Sequence, residues 1–178
     1  VPAIVNAWYP GESGGKAVAE VLFGDYNPGG RLPLTYYRSL DELPPFDDYD
    51  ITKGRTYKYF KGDVLYPFGY GLSYTTFKYS NLQVADGEEE INVSFQLKNA
   101  GKYAGDEVAQ VYVKLPERDE VMPVKELKGF ERVALKSGEN KKMTLNTYLD
   151  EESSPWWSYI IGLPSMVIGG VKSLFIKE

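Results

Sequence analysis

Cysteine and histidine are both absent from this sequence of 178 residues. Their absence excludes disulfides, thiolate or imidazole metal sites, cysteine nucleophiles and histidine-dependent catalytic triads within the chain. Acid–base chemistry would therefore have to use carboxylates, tyrosine, lysine or hydroxyl side chains. We expect no cofactor. We also expect no metal site, because the acidic cluster Asp47, Asp48 and Asp50 lacks the Asp/Asn–Gly spacing of a dedicated calcium loop.

Long apolar runs and an excess of basic residues are also missing. No stretch approaches the roughly 20 apolar residues that a membrane-spanning helix needs. The net charge of −5 argues against a nucleic-acid surface, because phosphate binding needs a concentrated basic face. The composition thus predicts neither a membrane nor a nucleic-acid partner. Because the chain opens with Val1-Pro-Ala and not with methionine or a basic leader, we expect it to begin inside a longer protein.

Aromatic residues are abundant by contrast. They make up 15% of the chain, and 15 of them are tyrosine, which is enough to build an extended aromatic surface. Such rings stack on the apolar faces of sugars, but tyrosine is also common in β-sandwich cores and at domain interfaces. The hydrophobic content of 43% predicts a packed core, in either one large domain or two small ones.

The first part of the chain follows the pattern of one βαβ unit. The apolar residues 1–8 predict a buried strand, and residues 16–23 place apolar side chains on one helical face. Gly24 is then the expected helix C-cap, and residues 31–36 alternate as a second strand. Because a single βαβ unit cannot close a core, we expect this part to end a larger α/β domain.

The region from residue 38 to residue 68 has no clear period and carries the acidic cluster Asp47, Asp48 and Asp50. A loop of this length usually covers or contributes to a functional site. The glycine-rich residues 11–16 do not form a phosphate-binding loop, because they lack the first glycine and the final Ser or Thr of that motif.

The pattern changes to strict alternation after Thr75. Apolar residues occupy every second position in four stretches, namely Ile91 to Leu97, Ala109 to Leu115, Val133 to Leu135 and Met143 to Leu145. Five to seven short strands at this spacing predict an antiparallel sandwich of the immunoglobulin or fibronectin type III kind. We therefore place a domain boundary between residues 74 and 75.

Several long motifs occur in one order along the chain: Ala7-Trp-Tyr-Pro-Gly11, Val21-Leu-Phe-Gly-Asp25, Asn27-Pro-Gly-Gly-Arg-Leu-Pro33, Arg55-Thr-Tyr-Lys-Tyr-Phe60, Leu65-Tyr-Pro-Phe-Gly-Tyr-Gly-Leu-Ser-Tyr74 and Pro123-Val-Lys-Glu-Leu-Lys-Gly-Phe130. With them the chain resembles the C-terminal portion of the family 3 glycoside hydrolases, the β-glucosidases and β-xylosidases. The resemblance runs from residue 1 to about residue 149. It implies the end of an α/β sandwich domain at residues 1–74 and a fibronectin type III-like β-sandwich at residues 75–178. The tail after Trp156 departs from the family pattern.

The resemblance also implies a reaction. Family 3 enzymes are retaining β-glycosidases that use two carboxylates about 5 Å apart, one in the barrel domain and one earlier in the α/β domain. Neither motif occurs in this sequence, so we expect no catalytic residue here and no activity from this chain alone. The implied partners are the barrel and α/β domains of the parent glycosidase and a β-linked oligosaccharide substrate, and the implied location is periplasmic or secreted.

Two other classes of function stay open. One is a non-catalytic β-sandwich module that binds carbohydrate or protein, and the other is a split enzyme whose second chain carries both carboxylates. The sequence does not distinguish glucoside from xyloside specificity.

Three residues are candidates for substrate binding. Trp8 and Tyr9 follow the first predicted strand, at the end where α/β sheets bind ligands, so they either face a sugar cleft or pack against the barrel. Asp48 lies either near the cleft or in solvent. An aromatic belt is expected at the domain junction, formed by Tyr57, Tyr59, Phe60, Tyr66, Phe68, Tyr70 and Tyr74 beside Arg55. Trp156 and Trp157 are expected in the core and at the edge of the sandwich.

Overall fold

The computed structural model describes residues 3–86, 90–114 and 121–148. Its helices are α1 (Gly14–Phe23) and α2 (Thr56–Tyr59), and two short 3-10 turns cover Leu40–Glu42 and Ile51–Lys53. Its strands are β1 (Tyr36–Tyr37), β2 (Val64–Tyr66), β3 (Phe77–Asp86), β4 (Glu90–Asn99), β5 (Gly105–Val113), β6 (Glu126–Leu135) and β7 (Asn140–Tyr148).

The five long strands form the predicted sandwich. A three-stranded sheet in the order β3–β4–β7 packs against the antiparallel pair β5–β6. Alternate residues of both sheets point inward, as strand geometry requires, and build one core: Val93, Phe95, Leu97, Ala109, Val111, Val133, Leu135, Met143 and Leu145. The alternation in the sequence is therefore confirmed as a sandwich signal. Trp156 and Trp157 lie outside the described residues.

The helix prediction for the first part is confirmed. Helix α1 starts two residues earlier than expected and ends at Gly24, which has φ +85° and donates its N–H to the Val21 carbonyl at 3.2 Å. A left-handed residue at this position is a common way for a helix to stop, and glycine adopts it without strain.

The predicted βαβ unit does not form among the described residues. Residues 3–8 have no strand, and the predicted strand at residues 31–36 is reduced to Tyr36–Tyr37, which pairs antiparallel with Val64–Tyr66. The second strand is short because the backbone of Leu32 binds a different part of the chain. Leu32 donates to the Tyr70 carbonyl at 2.8 Å and accepts from Gly69 N–H at 2.7 Å, so its hydrogen bonds go to the segment before the sandwich. The strand prediction is therefore wrong for residues 3–8 and 31–35, and residues 1 and 2 lie outside the described residues.

Part of the expected aromatic belt packs on the β5–β6 sheet. The Tyr57 ring stacks on Phe68 with centroids 4.2 Å apart, and both rings meet Tyr112 edge-on at 6.0 and 6.4 Å. Tyr57 Oη also accepts the Leu127 N–H at 3.1 Å. Burial raises the pKa of Tyr112 to about 12. These rings fasten the region before residue 75 to the sandwich.

Candidate functional site

Trp8 and Tyr9 lie in a turn before α1, and their rings are open to solvent. Trp8 has φ +52°, a left-handed conformation that is rare for a bulky residue. Its N–H donates to Asn6 Oδ1 at 3.0 Å, and the Asn6 amide donates to Tyr36 Oη at 3.0 Å. The Trp8 side chain is 48% exposed and that of Tyr9 is 98% exposed. Asn6 thus ties this turn to Tyr36, while the Trp8 side chain is half exposed and that of Tyr9 is almost fully exposed.

The glycine-rich loop after this turn serves the helix start. Gly14 N–H donates to the Gly11 carbonyl at 2.9 Å, and a Cβ on Gly14 would lie 2.3 Å from Pro10 Cβ. Only glycine allows this close approach. The loop is therefore a compact connection that sets where Trp8 and Tyr9 stand relative to α1.

The Asp48 carboxylate binds two groups within its own loop. Its Oδ2 atom is 2.7 Å from Lys53 Nζ, and its Oδ1 atom accepts the Asp50 N–H at 3.1 Å. The hydrogen bond from Lys53 and that from the Asp50 backbone hold the pKa of Asp48 below its usual value. The carboxylate is ionised at neutral pH, and its main partners stiffen the loop.

The same loop presents two exposed rings. Arg55 donates to the carbonyls of Pro44 and Pro45, and Asp50 accepts the Thr52 N–H at 3.0 Å. Between these clamps the side chains of Phe46 and Tyr49 are 91% and 83% exposed. This loop is thus held by its own hydrogen bonds and exposes two aromatic side chains to solvent.

The three candidate residues are not brought together by direct contact. No hydrogen bond, ion pair or ring contact joins Trp8 or Tyr9 to Asp48 within the part of the chain that the structure describes. No group of three or more acidic residues among the described positions has the arrangement of a metal site. No described helix is long and apolar enough to cross a membrane.

One charged cluster at the junction was missed by the sequence analysis. Arg31 Nη2 lies 2.6 Å from Glu107 Oε2, and both side chains are nearly buried, at 10% and 14% exposure. Tyr79 Oη donates to Glu107 Oε1 at 3.0 Å. Burial, with the nearby Glu107 charge, raises the pKa of Tyr79 far above its usual value. The sequence could have predicted this pair. Glu107 lies on the same side of its strand as the buried residues Ala109 and Val111, and a charged side chain on that side needs a partner.

Two family models match the chain. The model of the glycosyl hydrolase family 3 C-terminal domain matches residues 1–74, and that of a fibronectin type III-like domain matches residues 107–158. The two matches occur in the order that the resemblance implied.

Two curated relatives match most of the chain. A xylan 1,4-β-xylosidase of Xylanibacter ruminicola is 48% identical over 157 residues, which are 87% of this chain and 18% of the relative. A periplasmic β-glucosidase of Salmonella typhimurium is 38% identical over 172 residues, which cover 88% of this chain and 22% of the relative. The chain thus spans about a fifth of the length of these relatives.

A solved structure matches as well. β-Glucosidase 3B from Thermotoga neapolitana in complex with glucose has 37% sequence identity and a TM-score of 0.72 over 79% of this chain and 22% of that protein. Sequence and fold therefore agree. The chain belongs to glycoside hydrolase family 3, of which it carries the end of the C-terminal α/β domain and the fibronectin type III-like domain.

Proposed function

We propose that this chain is the C-terminal structural part of a retaining β-glycosidase that hydrolyses terminal β-glucosides or β-xylosides. In this proposal both catalytic carboxylates lie in the preceding part of the enzyme. The names of the relatives support the substrate class, since they include a β-xylosidase and β-glucosidases. The observation that carries the proposal is the contrast between the two parts of the chain in what they leave exposed.

The region before residue 52 leaves large apolar side chains in solvent. They are Ile4, Val5, Trp8, Tyr9, Leu22, Phe23, Tyr26, Leu34, Leu40, Phe46, Tyr49 and Ile51, with exposures from 39% for Leu34 to 98% for Tyr9. Exposed apolar surface on this scale is typical of a protein interface. The sandwich by contrast buries its own core. The barrel and α/β domains of the parent glycosidase are the partners that we propose for the exposed surface.

We also propose that the residues before and after position 75 have different structural roles. Residues 1–74 would complete the α/β domain, and residues 75–178 would form the sandwich that braces it. The Arg31–Glu107 ion pair and the Tyr57–Phe68–Tyr112 rings support a rigid brace, because both cross this boundary.

We predict that this chain alone does not hydrolyse nitrophenyl β-glucoside or nitrophenyl β-xyloside. The retaining mechanism needs two facing carboxylates about 5 Å apart, and we place both in the preceding part of the enzyme. Adding that part, produced separately, is expected to restore turnover. A rate from the chain alone that disappears when one of its own carboxylates is mutated would contradict the proposal.

A second candidate is a carbohydrate- or protein-binding module that works without catalysis. This candidate rests on the exposed rings of Trp8, Tyr9, Phe46 and Tyr49, because aromatic rings can stack on the apolar faces of sugars. Light scattering with a cello- or xylo-oligosaccharide titration separates the two functions. A monodisperse chain whose tryptophan fluorescence responds at micromolar sugar would favour the module, whereas concentration-dependent association without a response would favour the incomplete enzyme.

Within the proposed enzyme, Trp8, Tyr9 and Asp48 would line or border the sugar cleft. Replacing Trp8 with alanine in the assembled enzyme is expected to raise KM about fivefold with little change in kcat, since a stacked ring contributes about 1 kcal/mol. Asp48→Asn is expected to act more weakly, because Lys53 and Asp50 already occupy the carboxylate.

The matched control for the ring variants is Tyr103→Ala, which removes a ring that is 62% exposed on the sandwich. Equal changes in KM for Trp8→Ala and Tyr103→Ala would argue against a cleft position for Trp8.

A further inference from the structure

The outer face of the β3–β4–β7 sheet has an unusual composition. Alternate residues of β4 face away from the core and lie opposite residues of β3 or β7. These pairs include Lys78 opposite Lys98, Gln96 opposite Lys142 and Ser94 opposite Thr144. On the described strands, the outward positions from residue 78 to 85, 92 to 98 and 140 to 146 carry lysine, amides, hydroxyls and one alanine, without a carboxylate or an aromatic ring. We call these positions the lysine–amide face.

The lysines of this face are close together. Lys78 and Lys98 are direct cross-strand partners, which places their Cβ atoms about 5 Å apart. Lys142 pairs with Gln96 and is the diagonal neighbour of Lys98, at about 7–8 Å. Like charges directly opposite each other destabilise a sheet. Three ammonium groups at one end of a sheet therefore create a site where an anion would be stabilising.

No described carboxylate pairs with these three lysines. Among the described residues, the three lysines form none of the ion pairs found in the structure. The Glu139 carboxylate accepts the Lys136 N–H at 2.8 Å. Glu90 accepts from Asn146 at 3.3 Å at the far end of β4, eight residues or roughly 26 Å from Lys98.

We propose that the lysine–amide face binds a carboxylate-bearing polysaccharide. The lysines would pair with its carboxylates, and the amides and hydroxyls of Gln96, Ser94 and Thr144 would exchange hydrogen bonds with its hydroxyl groups. This site is separate from the exposed rings before residue 52, and it does not depend on the proposed catalytic role of the parent enzyme.

The composition argues against other macromolecules. Protein interfaces are enriched in aromatic residues, methionine and arginine and depleted in lysine, which is the reverse of this face. Nucleic-acid surfaces are usually strongly basic over a whole domain, whereas this chain has a net charge of −5. Amides and hydroxyls next to a small number of cations fit a sugar polymer with spaced carboxylates.

Calorimetric titration of the full chain with hexagalacturonate and with neutral cellohexaose tests the proposal. We expect hexagalacturonate to bind at least about tenfold more tightly, with an affinity that falls as salt is added. The triple variant Lys78→Gln, Lys98→Gln, Lys142→Gln is expected to lose about tenfold in affinity. The matched triple Lys61→Gln, Lys102→Gln, Lys114→Gln changes the net charge equally on exposed lysines elsewhere and is expected to bind like the original chain.

A third variant, Gln96→Glu, places a carboxylate between Ser80 and Lys142 in the cross-strand register. It is expected to weaken binding and to raise the melting temperature, because it supplies the missing counter-charge. Unchanged binding by the first triple, equal losses in both triples, or equal affinity for cellohexaose would overturn the proposal. Equal or tighter binding of a short DNA duplex, lost in the same triple, would also overturn it in favour of nucleic acid.

Discussion

Asn99→Ala is expected to lower the free energy of unfolding of the chain by about 3 kcal/mol. Asn99 is fully buried at the end of β4. Its Nδ2 atom donates to the carbonyls of Tyr103 and Leu135 at 2.8 and 3.1 Å. Its Oδ1 atom accepts from Thr75 Oγ1 at 2.6 Å and from Gly101 N–H at 3.1 Å.

The loss is large because one amide satisfies four groups on three separate segments. Truncation leaves each of these groups without that partner, and a buried polar group without a hydrogen bond costs about 1–3 kcal/mol. Urea unfolding of the variant should show a lower midpoint with an unchanged slope.

The matched control is Asn146→Ala on the outer face of β7. Asn146 is exposed and its amide makes one long hydrogen bond, at 3.3 Å to Glu90, so a change within about 0.5 kcal/mol is expected. Similar losses for Asn99→Ala and Asn146→Ala would show that the buried amide is not the centre of this junction.

Glu107→Leu is expected to cost about 3 kcal/mol, since it leaves the nearly buried guanidinium of Arg31 without its carboxylate. It also removes the acceptor of the Tyr79 hydroxyl. The double variant Arg31→Met with Glu107→Leu should recover much of this loss, because a buried ion pair replaced by apolar groups of similar volume is often close to neutral.

Urea unfolding of the two single variants and the double variant forms a double-mutant cycle for this pair. The control is Glu20→Gln, which breaks the exposed Lys16–Glu20 pair on α1 and should change stability by less than about 0.5 kcal/mol. A double variant as unstable as the sum of its two single variants would show that Arg31 and Glu107 do not act as a pair.

The sequence predicted the sandwich well because alternation is a local property. In β4 the residues Val93, Phe95 and Leu97 are buried on one side, and the residues between them face outward. Helix α1 was also predictable, since Gly24 stops it through its own backbone freedom. Family membership followed from long motifs in order, which need no knowledge of contacts.

The sequence predicted the first part less well. Residues 31–36 alternate as a strand does, yet a strand forms only where a neighbour accepts its hydrogen bonds, and Leu32 finds its partners in residues 69–70. Asp48 stays a candidate for substrate binding, but the sequence did not predict that Lys53 and the Asp50 backbone hold its carboxylate. These hydrogen-bond partners depend on which groups lie nearby in the folded chain, and a local sequence pattern does not contain that information.

The sequence by itself thus determined the family, the absence of histidine and cysteine chemistry, and the sandwich of alternating strands. The tertiary structure alone decided that Arg31 pairs with Glu107 across 76 positions, that Asn99 joins Thr75 to Leu135, and that Lys78 stands opposite Lys98. The physical reason is the separation along the chain between the residues that interact. Helix caps and strand period are set by neighbours along the chain, whereas buried charges, shared amides and the composition of a sheet face are set by residues that meet only after folding.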